Sequence, residues 1–291
     1  MHVVLGASGH VGSAVARTLL AEGEPVTVVL RDPAKAAPWE KRGAKIALAD
    51  VHDVDALRAA FTRGARLFLL NPPAPPSTDT DAEERSTVDT ILAAVDGAGL
   101  EKIVAQSTYG AQPGEHIGDL GVLYRLEQAL AGMLVPATLL RAAYFMSNWD
   151  AALESARTEG TVPTFFPPDL ALPMVAPVDI GAYAARLMMQ PTVGSHAIEG
   201  PRHYTANDVA EAFAKALERP VKAVQIPERK WTAALAELGF SPAAAESFAT
   251  MMRTVLEGVF PDSANAVRGE TTLESYIDTL VVGVPFGARR D

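Results

Sequence analysis

Along the first half of the chain, short runs of apolar residues alternate with longer stretches whose apolar positions recur every three to four residues. The apolar runs predict strands at His2–Leu5, Val26–Leu30, Lys45–Ala49, Arg66–Asn71, Lys102–Gln106 and Ala137–Arg141. The amphipathic stretches predict helices at His10–Ala21, Val54–Thr62, Ala82–Ala98 and Leu123–Ala131. Uniformly apolar strands separated by helices are the mark of a parallel sheet covered on both faces. Right-handed crossovers then make a doubly wound sheet the expected topology. Local punctuation agrees with this pattern. Asp32-Pro33 reads as an N-cap followed by proline at the first helical position. Gly23 and Gly99 stand where helices are expected to stop in left-handed caps.

From about Asn148 the pattern changes. Pro163, Pro167, Pro168 and Pro173 punctuate a stretch that predicts loop, because proline is excluded from the middle of a sheet. Asp179–Met189 predicts a helix returning to the main body. Beyond Pro191 follow a short strand at Ala197–Ile198, a helix over Thr205–Glu218, a strand at Ala223–Ile226, and mostly helical sequence. Thr205 with Asp208 three residues on resembles a capping box. The expected organisation is α/β: a doubly wound parallel sheet over 1–148, with 175–190 returning to it. A smaller α/β C-terminal substrate or partner domain takes 149–174 and 191–291.

At 291 residues, with 48% hydrophobic and 21% charged residues, there is ample material for a globular core. The formal charge of −10 and the lack of any long basic run predict no direct nucleic-acid partner. The absence of cysteine removes disulfides, thiolate nucleophiles and cysteine-held metals. The 6 histidines show no metal-ligand spacing, so no metal is expected. The chain opens directly on a strand, and no apolar run approaches the roughly 20 residues of a membrane span. These features predict a cytoplasmic protein with no membrane partner.

The chemistry is carried by Gly6-Ala7-Ser8-Gly9-His10-Val11-Gly12, directly after a strand and opening a helix. Gly6 lets the chain turn, Gly9 lets backbone amides approach a pyrophosphate, and Gly12 allows the helix to pack closely on the strand. The free N–H groups and positive dipole end of the helix favour phosphate. At the end of the second strand Leu30-Arg31 stands where an NAD site would carry an acid. A guanidinium there suits a 2′-phosphate, Lys35 adds a second cation, and Asp32 is accounted for as a cap. The expected cofactor is therefore NADP(H).

Asp50, with Val51, is placed either to approach an adenine or to cap the next helix. Asn71-Pro72-Pro73 leaves the fourth strand at the same carboxyl edge, where ligands of such sheets bind. Ser107, Thr108 and Tyr109 end the fifth strand. In standard short-chain dehydrogenases a serine here works with Tyr-x-x-x-Lys, whose lysine prepares the tyrosine for proton transfer. This chain has no Tyr-x-x-x-Lys; Tyr124 is followed four residues later by Gln128. Tyr109, His116 and Tyr124 are the candidate proton donors, each also readable as a packing residue. Tyr124, Tyr144, Phe145, Met146 and Trp149 are candidates for an apolar substrate pocket or for ordinary core.

Taken together, Gly6–Gly12, Val28–Lys35, Lys102–Gly110, Leu139–Asn148 and Val178–Gly181 resemble the NmrA-like group of atypical short-chain dehydrogenases, which includes NADPH-dependent quinone, azo-dye and triarylmethane-dye reductases. Gly200-Pro201, Tyr204–Val209 and Val221–Trp231 are similar to that group's smaller C-terminal part. The resemblance implies a nicotinamide near Thr108 and Tyr144-Phe145, and an aromatic or quinone-like substrate in a cleft between the two parts. Many relatives carry a Lys or His about a turn before the acid matching Glu127, where this chain has Leu123 and Tyr124. Two functions follow: an NADPH-dependent reductase of quinone-like acceptors, or a non-catalytic NADP(H) sensor acting through a protein partner. Sugar-nucleotide epimerisation is disfavoured by the missing Tyr/Lys pair. A homodimer or a protein partner is the assembly left open.

Overall fold

The computed structural model describes residues 1–258 and 265–283. Its elements in chain order begin β1 (His2–Leu5), α1 (His10–Ala21), β2 (Val26–Leu30), α2 (Ala37–Glu40), β3 (Lys45–Leu48) and α3 (Val54–Phe61). Next come β4 (Arg66–Leu69), α4 (Thr80–Val95), β5 (Lys102–Thr108), α5 (Asp119–Ala131), β6 (Ala137–Ala142) and β7 (Tyr144–Phe145). Then follow α6 (Leu153–Thr158), β8 (Thr161–Thr164), β9 (Leu172–Val175), α7 (Pro177–Met189), β10 (Gly194–Glu199) and β11 (His203–Tyr204). The described chain ends with α8 (Ala206–Leu217), β12 (Lys222–Gln225), α9 (Trp231–Glu237), α10 (Pro242–Leu256), β13 (Val267–Arg268) and α11 (Leu273–Val282). The expected helical sequence at 259–264 and 284–291 lies outside the described residues.

The large sheet runs β13-β10-β6-β5-β4-β1-β2-β3, all parallel, with the order reversing at β1 and β4 as a doubly wound fold requires. Alternate residues feed opposite cores. Val4, Val28, Phe68, Val104 and Leu140 pack under α1 and α7. Val3, Leu5, Val29, Leu67, Leu69 and Ile103 pack under α3, α4 and α5. A third core gathers Met146, Trp149, Phe166, Tyr204, Phe213 and Trp231 around two small sheets, β11-β9-β7 and β12-β8.

The region after residue 148 departs from expectation. Proline predicts loop across 149–174, yet β8 contains Pro163 and β9 contains Pro173. Both prolines escape the ladder penalty. The β8 strand has a neighbour on one side only, and Pro173 lies beyond the end of β7, which reaches only Met174 and Val175. The expected assignment of everything beyond Pro191 to the smaller part is also corrected, because β10 and β13 extend the large sheet beyond β6. Their mixed polarity, with Gly194, Ser195 and Arg268 exposed, hides that membership in the sequence.

Smaller shifts have local causes. The α4 helix starts at Thr80 because Asp79 accepts from Ala82 N, and it stops at Val95 where Asp96 turns extended. Gly97, ahead of Gly99, is thus the first left-handed glycine after it. The α5 helix starts at Asp119, four residues earlier than its apolar pattern indicates, after Gly118 at φ 55°. The capping box of Thr205 and Asp208 forms as read.

The position that ties the layers together is Gly181. A Cβ there would stand 2.3 Å from the Ala14 Cβ and 2.8 Å from Val15 N, so α7 crosses α1 almost backbone to backbone. Gly181→Ala should therefore cost about 1–3 kcal/mol through overpacking, read as a lower urea midpoint. An unchanged midpoint would show that this crossing is loose.

Candidate functional site

The six strands β1 to β6 share one direction, so their carboxyl ends lie at a single edge of the sheet. That edge assembles the glycine-rich turn, Arg31, Asp50, Asn71, Thr108 and Tyr144 from six separate stretches of sequence. The turn is built by its glycines. Gly6 adopts φ +78°, and a Cβ on it would meet the Leu70 side chain at 2.7 Å. Gly9 N donates to Gly6 O at 3.0 Å. A Cβ on Gly12 would lie 2.3 Å from Gly6 O, so α1 begins against the end of β1 with no room for any side chain. Gly9, by contrast, has open space: a Cβ there meets only Gly6 O, at 3.5 Å.

The start of α1 carries no side-chain cap and no acidic residue in its first turn. Its leading amides are left to an outside acceptor, and Ser8, Gly9 and His10 are exposed around them while Ala7 and Val11 are buried beneath. The cradle fits a diphosphate: open at Gly9, closed at Gly12, and positive at the helix end. His10 reaches outward, its Nε2 4.0 Å from Asp150 Oδ2.

Arg31 and Lys35 are exposed, and among the described residues neither makes an ion pair or a side-chain hydrogen bond. Asp32 is spent as expected, its Oδ1 accepting from Ala34 N at 2.9 Å. Asp50 is half-buried and accepts from His52 N at 3.0 Å. Of its two readings the helix cap falls away, since Asp53 caps α3 by accepting from Ala56 N at 2.9 Å. Val51 is half-buried beside it. Asn71 donates through Nδ2 to Glu84 O at 3.2 Å, and its buried Oδ1 has no hydrogen-bond partner among the described residues. Pro72 is half-buried and Pro73 exposed.

At the end of β5 three neighbours point to different tasks. The Ser107 hydroxyl is buried and donates to Glu127 Oε1 at 2.6 Å. Thr108 is half-buried. The Tyr109 hydroxyl donates to Glu199 Oε1 at 3.0 Å, and burial, then the Glu199 charge, push its phenol well above the ordinary range. Glu199 is fully buried and is also held by Arg268 at 2.5 Å and His203 at 3.1 Å. Tyr109 is thus tied into a charged hub. His116 is exposed in the β5–α5 loop at φ 55°, and Tyr124 is half-buried on α5. Tyr144 packs against Trp149 and Phe166 at ring distances of 6.0 and 6.1 Å, and burial raises its hydroxyl to about 12. Phe145 turns to the large-sheet core, while Met146 and Trp149 lie in the third core.

Motif spacing points to neither the Glu199 hub nor Glu84. Glu84 lies at the start of α4 with Oε1 accepting from Ala74 N at 3.0 Å. Acids inside otherwise buried helix and strand faces were the available signal. Among the described residues no cluster of metal-ligating side chains occurs, and no helix is long and apolar enough to cross a membrane. A cavity of about 350 Å³ lined by His2, Glu24, Arg66 and Glu101 lies at the opposite, amino-end edge of the sheet.

The model of the NmrA-like family matches residues 2–277. The chain belongs to the NmrA-like family. This NmrA-like chain is 25% identical over 251 residues to an NAD(P)H azoreductase of Xenophilus azovorans, covering 85% of this chain and 84% of the other. In fold it is similar to the NADPH-dependent quinone oxidoreductase of Escherichia coli in complex with NADPH, with a TM-score of 0.80, 23% identity, and coverage of 96% and 99%. It is likewise similar to the triphenylmethane reductase of Citrobacter sp. in complex with NADP(H), with a TM-score of 0.79, 17% identity, and coverage of 96% and 99%.

Burial, reinforced by the Asp119 carboxylate and by Asp81, pushes Glu84 up to about 8. The folded chain therefore holds a proton that the unfolded chain releases, and stability falls as pH rises from the ordinary carboxylate range through about 8. Glu84→Gln should flatten that fall. Urea midpoints recorded from pH 5 to 8 would contradict this if the two proteins keep the same slope.

Proposed function

We propose that this chain is an NADPH-dependent oxidoreductase that reduces a small aromatic acceptor of the quinone or azo class. The observation that carries the reading is the pairing of an α1 amino end without a side-chain cap, open at Gly9, with the cations Arg31 and Lys35, which make no ion pair among the described residues. The first suits a diphosphate and the second a 2′-phosphate. Asp32, the acid that could favour an unphosphorylated ribose, is committed to Ala34. The azoreductase and quinone oxidoreductase among its relatives support the same cofactor and acceptor class.

Bound in this cradle, reduced nicotinamide supplies a hydride. The protein's part is to fix the diphosphate with backbone amides, hold the 2′-phosphate, and bring an acceptor to the edge formed by Asn71, Thr108 and Tyr144. The proposed division of labour is a cofactor-binding body built on the large sheet and a smaller part around the third core that shapes the acceptor side. Tyr144 and Phe145, adjacent in sequence, enter different cores and mark the seam between them.

A sensor that binds NADP(H) without turnover is the competing reading, favoured by the commitment of Tyr109 to Glu199. NADPH oxidation by the purified protein against quinones and azo dyes separates the two. Turnover supports the reductase; tight NADPH binding without any turnover supports the sensor. For the cofactor, Arg31→Ala should weaken NADPH by roughly tenfold to a hundredfold while NADH changes little, measured by calorimetry. Equal losses for both would show that Arg31 does not hold the 2′-phosphate.

A further inference from the structure

The missing Tyr-x-x-x-Lys leaves the reductase without an evident proton donor, but the sheet supplies a cation that sequence spacing conceals. Ser107 on β5 and Arg141 on β6 are register partners, side by side. Glu127 on α5, 3% exposed, closes over both. It takes Arg141 Nε at 2.9 Å and Nη2 at 2.5 Å on its two oxygens, and the Ser107 hydroxyl at 2.6 Å. A bidentate pair of this kind fixes the guanidinium plane. Among the described residues the Nη1 hydrogens of Arg141 make no hydrogen bond, so part of the donor fork stays unspent.

Tyr124 lies three residues before Glu127, on the same face of α5. Because α5 returns from the carboxyl edge of the sheet, Tyr124 sits about one turn nearer that edge than Glu127. It is half-buried, its hydroxyl makes no hydrogen bond among the described residues, and it interacts electrostatically with Arg141. Of the other tyrosines at this edge, Tyr109 spends its hydroxyl on Glu199, and Tyr144 is buried with its hydroxyl bonded to Asn148.

We propose that Tyr124 is the proton donor of the reduction, and that Arg141, fixed by Glu127 and Ser107, is the positioning cation that replaces the absent lysine. The assignment rests on the reductase reading above. As the acceptor takes hydride at one atom, its oxygen or nitrogen gains the electron pair. The Tyr124 O–H bond breaks, a new O–H or N–H bond forms on the acceptor, and the phenolate left facing Arg141 recovers a proton from water. Removing Arg141 alone would strand Glu127 as a buried charge, so the tyrosine is the cleaner place to test the scheme.

The test compares acceptors that differ in their need for a proton. A quinone or azo dye requires one; a triarylmethane carbocation is neutralised by hydride alone. In Tyr124→Phe, kcat on the quinone should fall about a hundredfold further than kcat on the carbocation. Arg141→Lys, which keeps the charge but loses the bidentate clamp, should show the same acceptor bias in weaker form. Independently of turnover, hydroquinone should bind the NADP⁺-loaded Tyr124→Phe protein roughly threefold to tenfold more weakly by calorimetry, the loss of one hydrogen bond. Equal losses on both acceptors, or no loss on either, with unaltered hydroquinone binding, overturn the assignment and leave the reductase reading standing. Failure of the unmodified protein to reduce any acceptor removes the reductase reading and this assignment together.

Discussion

The contact on which the structure turns is the approach of α1 to the end of β1, where Gly12 stands against the Gly6 carbonyl with no space for a Cβ. That approach aims the uncapped end of α1 at the carboxyl edge of the sheet. It also sets the height of α1 above the sheet, and hence where α7 can cross it. Gly181 meets Ala14 and Val15 at that crossing, and Asp179, two residues earlier, accepts from both Thr271 N and Thr271 Oγ1. A line of close contacts thus runs from the phosphate turn through two helices to the segment leading into α11. On the other side, Asp150 accepts from Tyr276 on α11 while facing His10 at the turn itself. The segment around α11 is thus linked to α1 at two places, through Asp150 at His10 and through Asp179 and Gly181 at Ala14 and Val15.

In a chain of net −10, the carboxyl edge of the sheet carries Arg31 and Lys35, which make no ion pair among the described residues. The acids near it are committed elsewhere: Asp32 and Asp53 to helix caps, Glu127 to Arg141, Glu199 to Arg268 and His203. The two buried acids among them, Glu127 and Glu199, cost desolvation that their ion pairs offset. Their effect here is geometric. They lock the ends of β5, β6 and β10.

Much of this was legible from residue pattern because doubly wound sheets write their rules locally. Uniformly apolar strands, Gly6 to Gly12, the Asp32-Pro33 cap and the Thr205/Asp208 box all depend on near neighbours, and each formed in place. The parts that escaped depend on distant partners. Pro163 and Pro173 argue against strands until one knows that the first lies in a strand paired on one side only and the second beyond its neighbour's end. Gly194-Ser195-His196 argues against sheet membership until β6 is known to pair with it. Tyr124 lacks a lysine four residues on, and only the register of β5 with β6 sets Arg141 beside Ser107, where Glu127 of the same helix as Tyr124 clamps it. Glu199 gathers Tyr109 from the turn after β5, His203 from β11 and Arg268 from β13, a convergence no linear spacing encodes.

The central claim is that backbone amides at the start of α1, exposed because Gly9 has no side chain, hold a diphosphate. Gly9→Asp tests it most directly, since the φ of −96° at this N-cap accepts any residue and aspartate is a favoured cap. The measurement is NADPH calorimetry alongside thermal melting of the same variant. The account predicts an equal or higher melting temperature together with loss of the binding heat, as the new carboxylate takes the amides and repels phosphate. Undiminished NADPH binding by a well-folded Gly9→Asp protein would contradict it.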